Sequence, residues 1–157
     1  MSINLRNQLP PWRKPRHASP NEAWKWKEDL EAAEQLYNQW REVYSTATLI
    51  ADSLAEDEKQ QNFTQGAIFE NLMIVSAKIQ SAAGDTLYTI KMENAALIRF
   101  NCRQLWEQIA FAALQNWTDP KYKTLIEDQL EEFKRRFRIW VSTFKKDDIV
   151  DEWGLFC

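Results

Sequence analysis

Residues 79–90 read IQSAAGDTLYTI. The fold turns on whether a helix stops inside them. Gly is the commonest residue just past a helix end, and Asp is a good N-cap, so Gly84-Asp85 reads as the end of one helix and the start of the next. Against this, Ile79, Ala83, Leu87 and Ile90 also share one face of an uninterrupted helix. With the break, the chain closes an all-α, up-and-down bundle of about four helices by itself. Without it, one helix of about 85 Å leaves three helices in all, completed by dimerisation. The four-helix bundle is the expectation and the long helix is the alternative.

Upstream of this stretch, Gly66 lies early in the second helix, and Ile68, Leu72, Val75 and Ile79 form its stripe. Further back, Trp26, Leu30, Ala33, Tyr37, Trp40, Tyr44, Ala47, Ala51 and Leu54 recur at spacings of four and three. Such a heptad repeat is the coiled-coil pattern and puts all nine on one side of a helix. Leu36, Val43 and Ile50 widen the stripe, which suits a bundle with more than one neighbour. Ser19, Pro20 and Glu22 carry the signature of a capped helix start. Asp52, Glu56, Asp57 and Glu58 disfavour a helix C-terminus and suit an N-terminus, so a break falls near 53–58, with Ser53 a candidate cap.

Downstream, the third helix runs to about Asn116. Asp119 and Pro120 then cap and open a fourth, striped by Ile126, Leu130, Phe133, Phe137, Trp140 and Phe144. On the third helix Leu87, Asn94, Asn101 and Gln108 are spaced by seven, with Ile90, Leu97 and Gln104 between them. Asn94 and Asn101 therefore fall where an apolar seam is expected. A buried amide without a partner costs on the order of 1–3 kcal/mol. Such residues fix helix register when paired, or mark the wet margin of a rotated stripe.

Three segments follow: a basic, Pro-rich arm at 1–18, a helical bundle at 19–146, and an acidic-aromatic tail at 147–157. The arm carries Arg6, Arg13, Lys14 and Arg16 and no acid, while the tail carries Asp147, Asp148, Asp151 and Glu152 and no base. Pro10, Pro11 and Pro15 keep the arm from forming helix, and the expectation is that it is dispensable for folding and either touches phosphates or lies across the acidic tail of the same or a neighbouring chain. The start of the chain does not read as a signal peptide, and no stretch approaches the roughly 18 apolar residues of a membrane span. Two cysteines, Cys102 and Cys157, give no disulfide framework, so the cytoplasm is the expected compartment.

Most enzyme chemistries lack their residues. The single histidine, His17, lies in the arm, which leaves di-iron, zinc and Ser-His-Asp sites without ligands or base. No Gly-rich phosphate loop occurs. Glu70, Glu93 and Glu107 are the remaining interior carboxylates, and Cys102 beside Arg103 is either an activated thiol or a core filler. No cofactor or metal is expected.

Partner contacts are the remaining source of function. In the tail, Ile149, Val150, Trp153, Leu155 and Phe156 resemble in kind a short peptide that anchors in a groove, or else they fold back on their own bundle. Arg13, Lys14 and Arg16, with Lys134, Arg135 and Arg138 on the last helix, are candidate phosphate contacts. The expected function is a non-enzymatic interaction or assembly protein that joins itself, another protein, or both. The alternatives are a nucleic-acid-associated accessory subunit and a bundle that binds a small ligand.

Overall fold

A computed structural model describes residues 9–15 and 24–156. Four helices form, α1 (Lys27–Asp52), α2 (Lys59–Ala83), α3 (Tyr88–Leu114) and α4 (Pro120–Ser142). The chain does break at Gly84, so the four-helix bundle forms and the single long helix does not. The local chemistry differs from the expected cap. Leu87 is the N-cap of α3, and Asp85 stands two residues earlier, where its Oδ1 accepts the Leu87 N–H at 3.0 Å. Asp stabilises the turn by this local bond to its own backbone.

Side-chain bonds between helices show an antiparallel, up-and-down order. Trp40 Nε1 donates to Ser76 Oγ at 2.8 Å, and Gln65 Nε2 donates to Ala51 O at 2.8 Å, joining α1 to α2. Asn71 Nδ2 donates to Gln108 Oε1 at 3.0 Å between α2 and α3. Gln39 Nε2 donates to Gln129 O at 3.0 Å and closes the ring from α1 to α4. α3 and α4 pack least extensively of the four neighbouring pairs.

The heptad stripe of α1 enters the core as expected, from Leu30 to Leu54; Trp26 is only half-buried and precedes the helix. The Ser19 cap lies outside the described residues. Ile68, Leu72, Val75 and Ile79 of α2 are buried, as are Ile126, Leu130, Phe133 and Trp140 of α4. On α3 the seam is rotated by about one residue. Ala95, Ile98, Leu105, Ile109 and Ala112 enter the core, while Leu87 and Leu97 face outward. The cause is that α2 and α3 are apolar on two sides, so the sequence pattern alone does not phase them.

The loops use local hydrogen bonds. Ser53 ends α1 rather than capping α2, its Oγ donating to Ile50 O at 2.6 Å. Asp119 caps α4 as expected, with Oδ1 accepting the Lys121 N–H at 3.0 Å and Pro120 as the first helical residue. At the end of α3, Asn116 takes φ 59°, Trp117 N–H bonds Ala112 O at 2.9 Å, and Asn116 N–H bonds Ala113 O at 3.1 Å. This is a Schellman stop with Asn in the usual Gly place, and Trp117 supplies its apolar contact by meeting the Phe111 ring edge-on at 5.4 Å.

Residues 9–15 of the arm lie against α1 and α2. Leu9 and Trp12 pack against the core, and the Trp12 ring lies 5.3 Å from that of Tyr37. Tyr37 Oη donates to Pro10 O at 2.6 Å, and Gln80 Nε2 donates to Arg13 O at 2.8 Å. Burial pushes the Tyr37 hydroxyl above its ordinary pKa, so it remains a donor. Proline removes backbone donors but leaves carbonyls, and α1 and α2 supply the side chains that use them. Among the described residues, no helix is long and apolar enough to cross a membrane.

Candidate functional site

The most unusual chemistry in the core is an ion pair that the sequence pattern did not single out. Lys91 Nζ lies 2.6 Å from Asp29 Oδ2, and both side chains are buried. Nζ also donates to Ala82 O at 2.9 Å, and it lies 5.2 Å from the centre of the Phe144 ring. One ammonium thus ties α1, the end of α2, α3 and the segment after α4. Its surroundings are closed rather than open to a substrate, which makes it a structural tie.

The other candidates for chemistry fall at the surface or are quenched. Glu70, Glu93 and Glu107 are exposed, and no cluster of three or more metal-ligating side chains occurs among the described residues. Burial pushes the Cys102 thiol well above its ordinary pKa, opposite to the shift an activated thiol needs. The side chain packs against the core as a filler.

Asn94 and Asn101 are both buried. Asn101 Nδ2 donates to Leu97 O of its own helix at 2.8 Å. The amide pair that bridges two helices is Asn71 with Gln108; Gln108 belongs to the expected seven-residue series, but its partner Asn71 carries no periodic signal.

The basic residues are largely engaged. Lys134 pairs with Glu131 at 2.6 Å, and Arg135 makes two bonds to Glu132, at 2.9 and 2.7 Å. Arg136 adds a third bond to Glu132 at 2.9 Å. Glu132 is held down to about 2, first by the hydrogen bond from Arg135 and then by that from Arg136. Arg138, Arg13 and Lys14 are exposed. Arg16 lies outside the described residues. Two of the three α4 cations proposed for phosphate therefore already face carboxylates.

The tail is held at both ends but leaves most of its apolar anchors outward. Asp147 anchors its start: Oδ2 accepts the Tyr88 N–H at 3.0 Å, at the first turn of α3, and Oδ1 accepts the Ile149 N–H at 3.1 Å. Asp151 organises the rest. Its carboxylate accepts the N–H groups of Trp153 (3.0 Å), Leu155 (2.7 Å) and Phe156 (3.1 Å), while its carbonyl accepts that of Gly154 at 3.0 Å. Gly154 sits at φ 69°, which a side chain would strain. The outcome is a fixed loop that holds Val150, Trp153 and Leu155 outward, at 81%, 87% and 74% exposure, with Ile149 exposed as well. Phe156 alone is half-buried, beside Tyr88 and Lys146.

These bonds give a pH signature. The backbone donors, that of Phe156 foremost and then that of Trp153, hold the Asp151 carboxyl below its ordinary pKa. The ionised form binds them, so the loop is intact above the ordinary Asp value and opens as pH falls through the depressed one. The amide proton resonances of Trp153, Leu155 and Phe156 are expected to titrate together at that depressed value. A shared midpoint at or above the ordinary Asp range would show that the carboxylate does not hold the loop.

No family model, no curated protein and no solved structure matches this chain.

Proposed function

We propose that the chain is a non-enzymatic assembly protein of the cytoplasm that presents residues 147–156 to a partner protein. The observation that carries this is the exposure of Val150, Trp153 and Leu155 on a loop fixed by two aspartates. Exposed apolar side chains on a fraying segment need no explanation, but apolar side chains held outward by several backbone hydrogen bonds are poised to dock. A loop already in its bound shape loses less conformational entropy on binding, which otherwise costs on the order of 1–2 kcal/mol per residue. Trp153 alone brings about 150–250 Å², worth roughly 4–6 kcal/mol gross when covered at about 25 cal/mol per Å². Asp148 and Glu152 are exposed beside these anchors, so the partner surface that fits is an apolar groove rimmed by Lys or Arg.

The test pairs recovery with stability. A full-length chain tagged at its N-terminus is recovered from its own cells as wild type, as Trp153→Ala/Leu155→Ala, and as Asp151→Ala. Wild type is expected to retain a defined protein that a synthetic peptide of residues 147–156 displaces. The double variant is expected to lose at least about 2 kcal/mol of affinity for it, with an unchanged melting temperature because both side chains are exposed. Asp151→Ala is expected to weaken binding less, by releasing the loop without removing its anchors. If the double variant melts lower and keeps its partners, residues 147–156 serve their own bundle and the proposal is wrong.

A further inference from the structure

Beyond the tail, the outward side of the α2–α3 hairpin carries an apolar surface that the bundle does not cover. On α3, Leu97, Phe100, Gln104, Glu107, Phe111 and Leu114 recur at spacings of three and four, and this is the side opposite the core seam of Ile98, Leu105 and Ile109. On α2, Phe63, Gly66, Glu70, Met73 and Ala77 repeat the pattern and are also exposed. Phe63 is 78% exposed, Met73 61%, Phe100 51% and Leu114 78%. Phe63 and Phe111 line one open hollow between the two helices, with Lys59, Gln104 and Glu107 around it. α1 and α4 carry no such second seam; their outer sides are charged. A helix apolar on two sides is one that is covered on two sides.

We propose that this face is the contact between two copies of the chain, packed hairpin against hairpin about a two-fold axis. Three features favour a second copy over a foreign partner. The spacing is that of a coiled-coil seam, and the matching surface, two antiparallel helices with the same spacing, is the one the chain itself supplies. Charges of both signs lie on and beside the seam, Glu70 and Glu107 within it, Glu93 and Lys59 at its ends and Arg99 and Arg103 alongside, so one face can meet its own image with acids facing bases, as an isologous contact requires. The area also suffices. Six large side chains and the small residues between them offer on the order of 800 Å² per chain, the usual share of a stable interface. Gly66 and Ala77 lie on the α2 seam, and no atom lies within 4 Å of the place where a Gly66 side chain would begin, which leaves room for close approach.

The experiment is sedimentation velocity on the full chain over a wide concentration range, with Phe100→Glu, Met73→Glu and Trp153→Ala/Leu155→Ala alongside wild type. Wild type is expected to sediment as a dimer. Each Glu variant is expected to weaken dimerisation by roughly thirtyfold or more and to keep wild-type helical circular dichroism, since both side chains are exposed. The tail variant is expected to stay dimeric, so this inference and the docking role of residues 147–156 fail separately. A wild-type chain that is monomeric throughout overturns the proposal even if a Glu variant fails to fold. So does a dimer that the tail variant dissolves and the Glu variants do not.

Discussion

Replacing Lys91 with Met is expected to lower stability by about 3–5 kcal/mol, the usual effect of removing one partner from a buried ion pair. Met matches the length and much of the volume of the Lys stem, so little of this loss comes from a cavity. It comes from the carboxylate of Asp29, left buried without its cation at 2.6 Å, and from Ala82 O, which loses its 2.9 Å donor. For a chain of this size the melting temperature should fall on the order of 10 °C. The double variant Lys91→Met/Asp29→Leu removes both charges and should recover most of the loss. If the double variant is no more stable than the single one, the pair holds the bundle by geometry that apolar residues do not replace. Chemical denaturation of the three proteins decides it.

The second large effect concerns the arm. Leu9→Ala/Trp12→Ala is expected to destabilise the chain by about 3 kcal/mol, because each side chain is half-buried against the core and full truncations of this kind cost about 2–5 kcal/mol. Tyr37 tests the same contact from the other side. Tyr37→Phe removes the donor to Pro10 O and should cost about 1 kcal/mol in wild type but much less where the arm has already lost its anchors. Additive losses in the triple variant would show that Tyr37 stabilises the bundle without the arm.

The legible parts of the fold were those in which one helix side is wet. α1 and α4 alternate charge and apolar residues so clearly that their buried stripes follow from spacing, and Asp119-Pro120 marks the start of α4 to the residue. α2 and α3 also carry large apolar residues on their outer sides, so polarity does not set their phase, and Leu97 stood in the expected seam where Ile98 is buried. The ion pair was not legible because nothing near Lys91 in sequence announces Asp29 as its partner. The packing of the arm was not legible because Pro content reports what a backbone does not donate, not what its carbonyls accept. In the tail, the apolar anchors were plain in the sequence, but their outward display was not. A signal existed: Asp followed by Gly three residues on is a β-turn signature, and the Gly154 N–H does bond Asp151 O.

The tie at Lys91 also bears on the order in which the molecule can be made. Asp29 emerges early in synthesis, Lys91 just past the middle, and Phe144, which covers the ammonium, near the end. A nascent chain that has only α1 to α3 can bring the two charges together but has no ring to close over them, and water competes for both. The growing polypeptide therefore gains little from committing early. A chain that stops before Phe144 lacks the ring over the ammonium and is expected to be cleaved faster in limited proteolysis than the full chain.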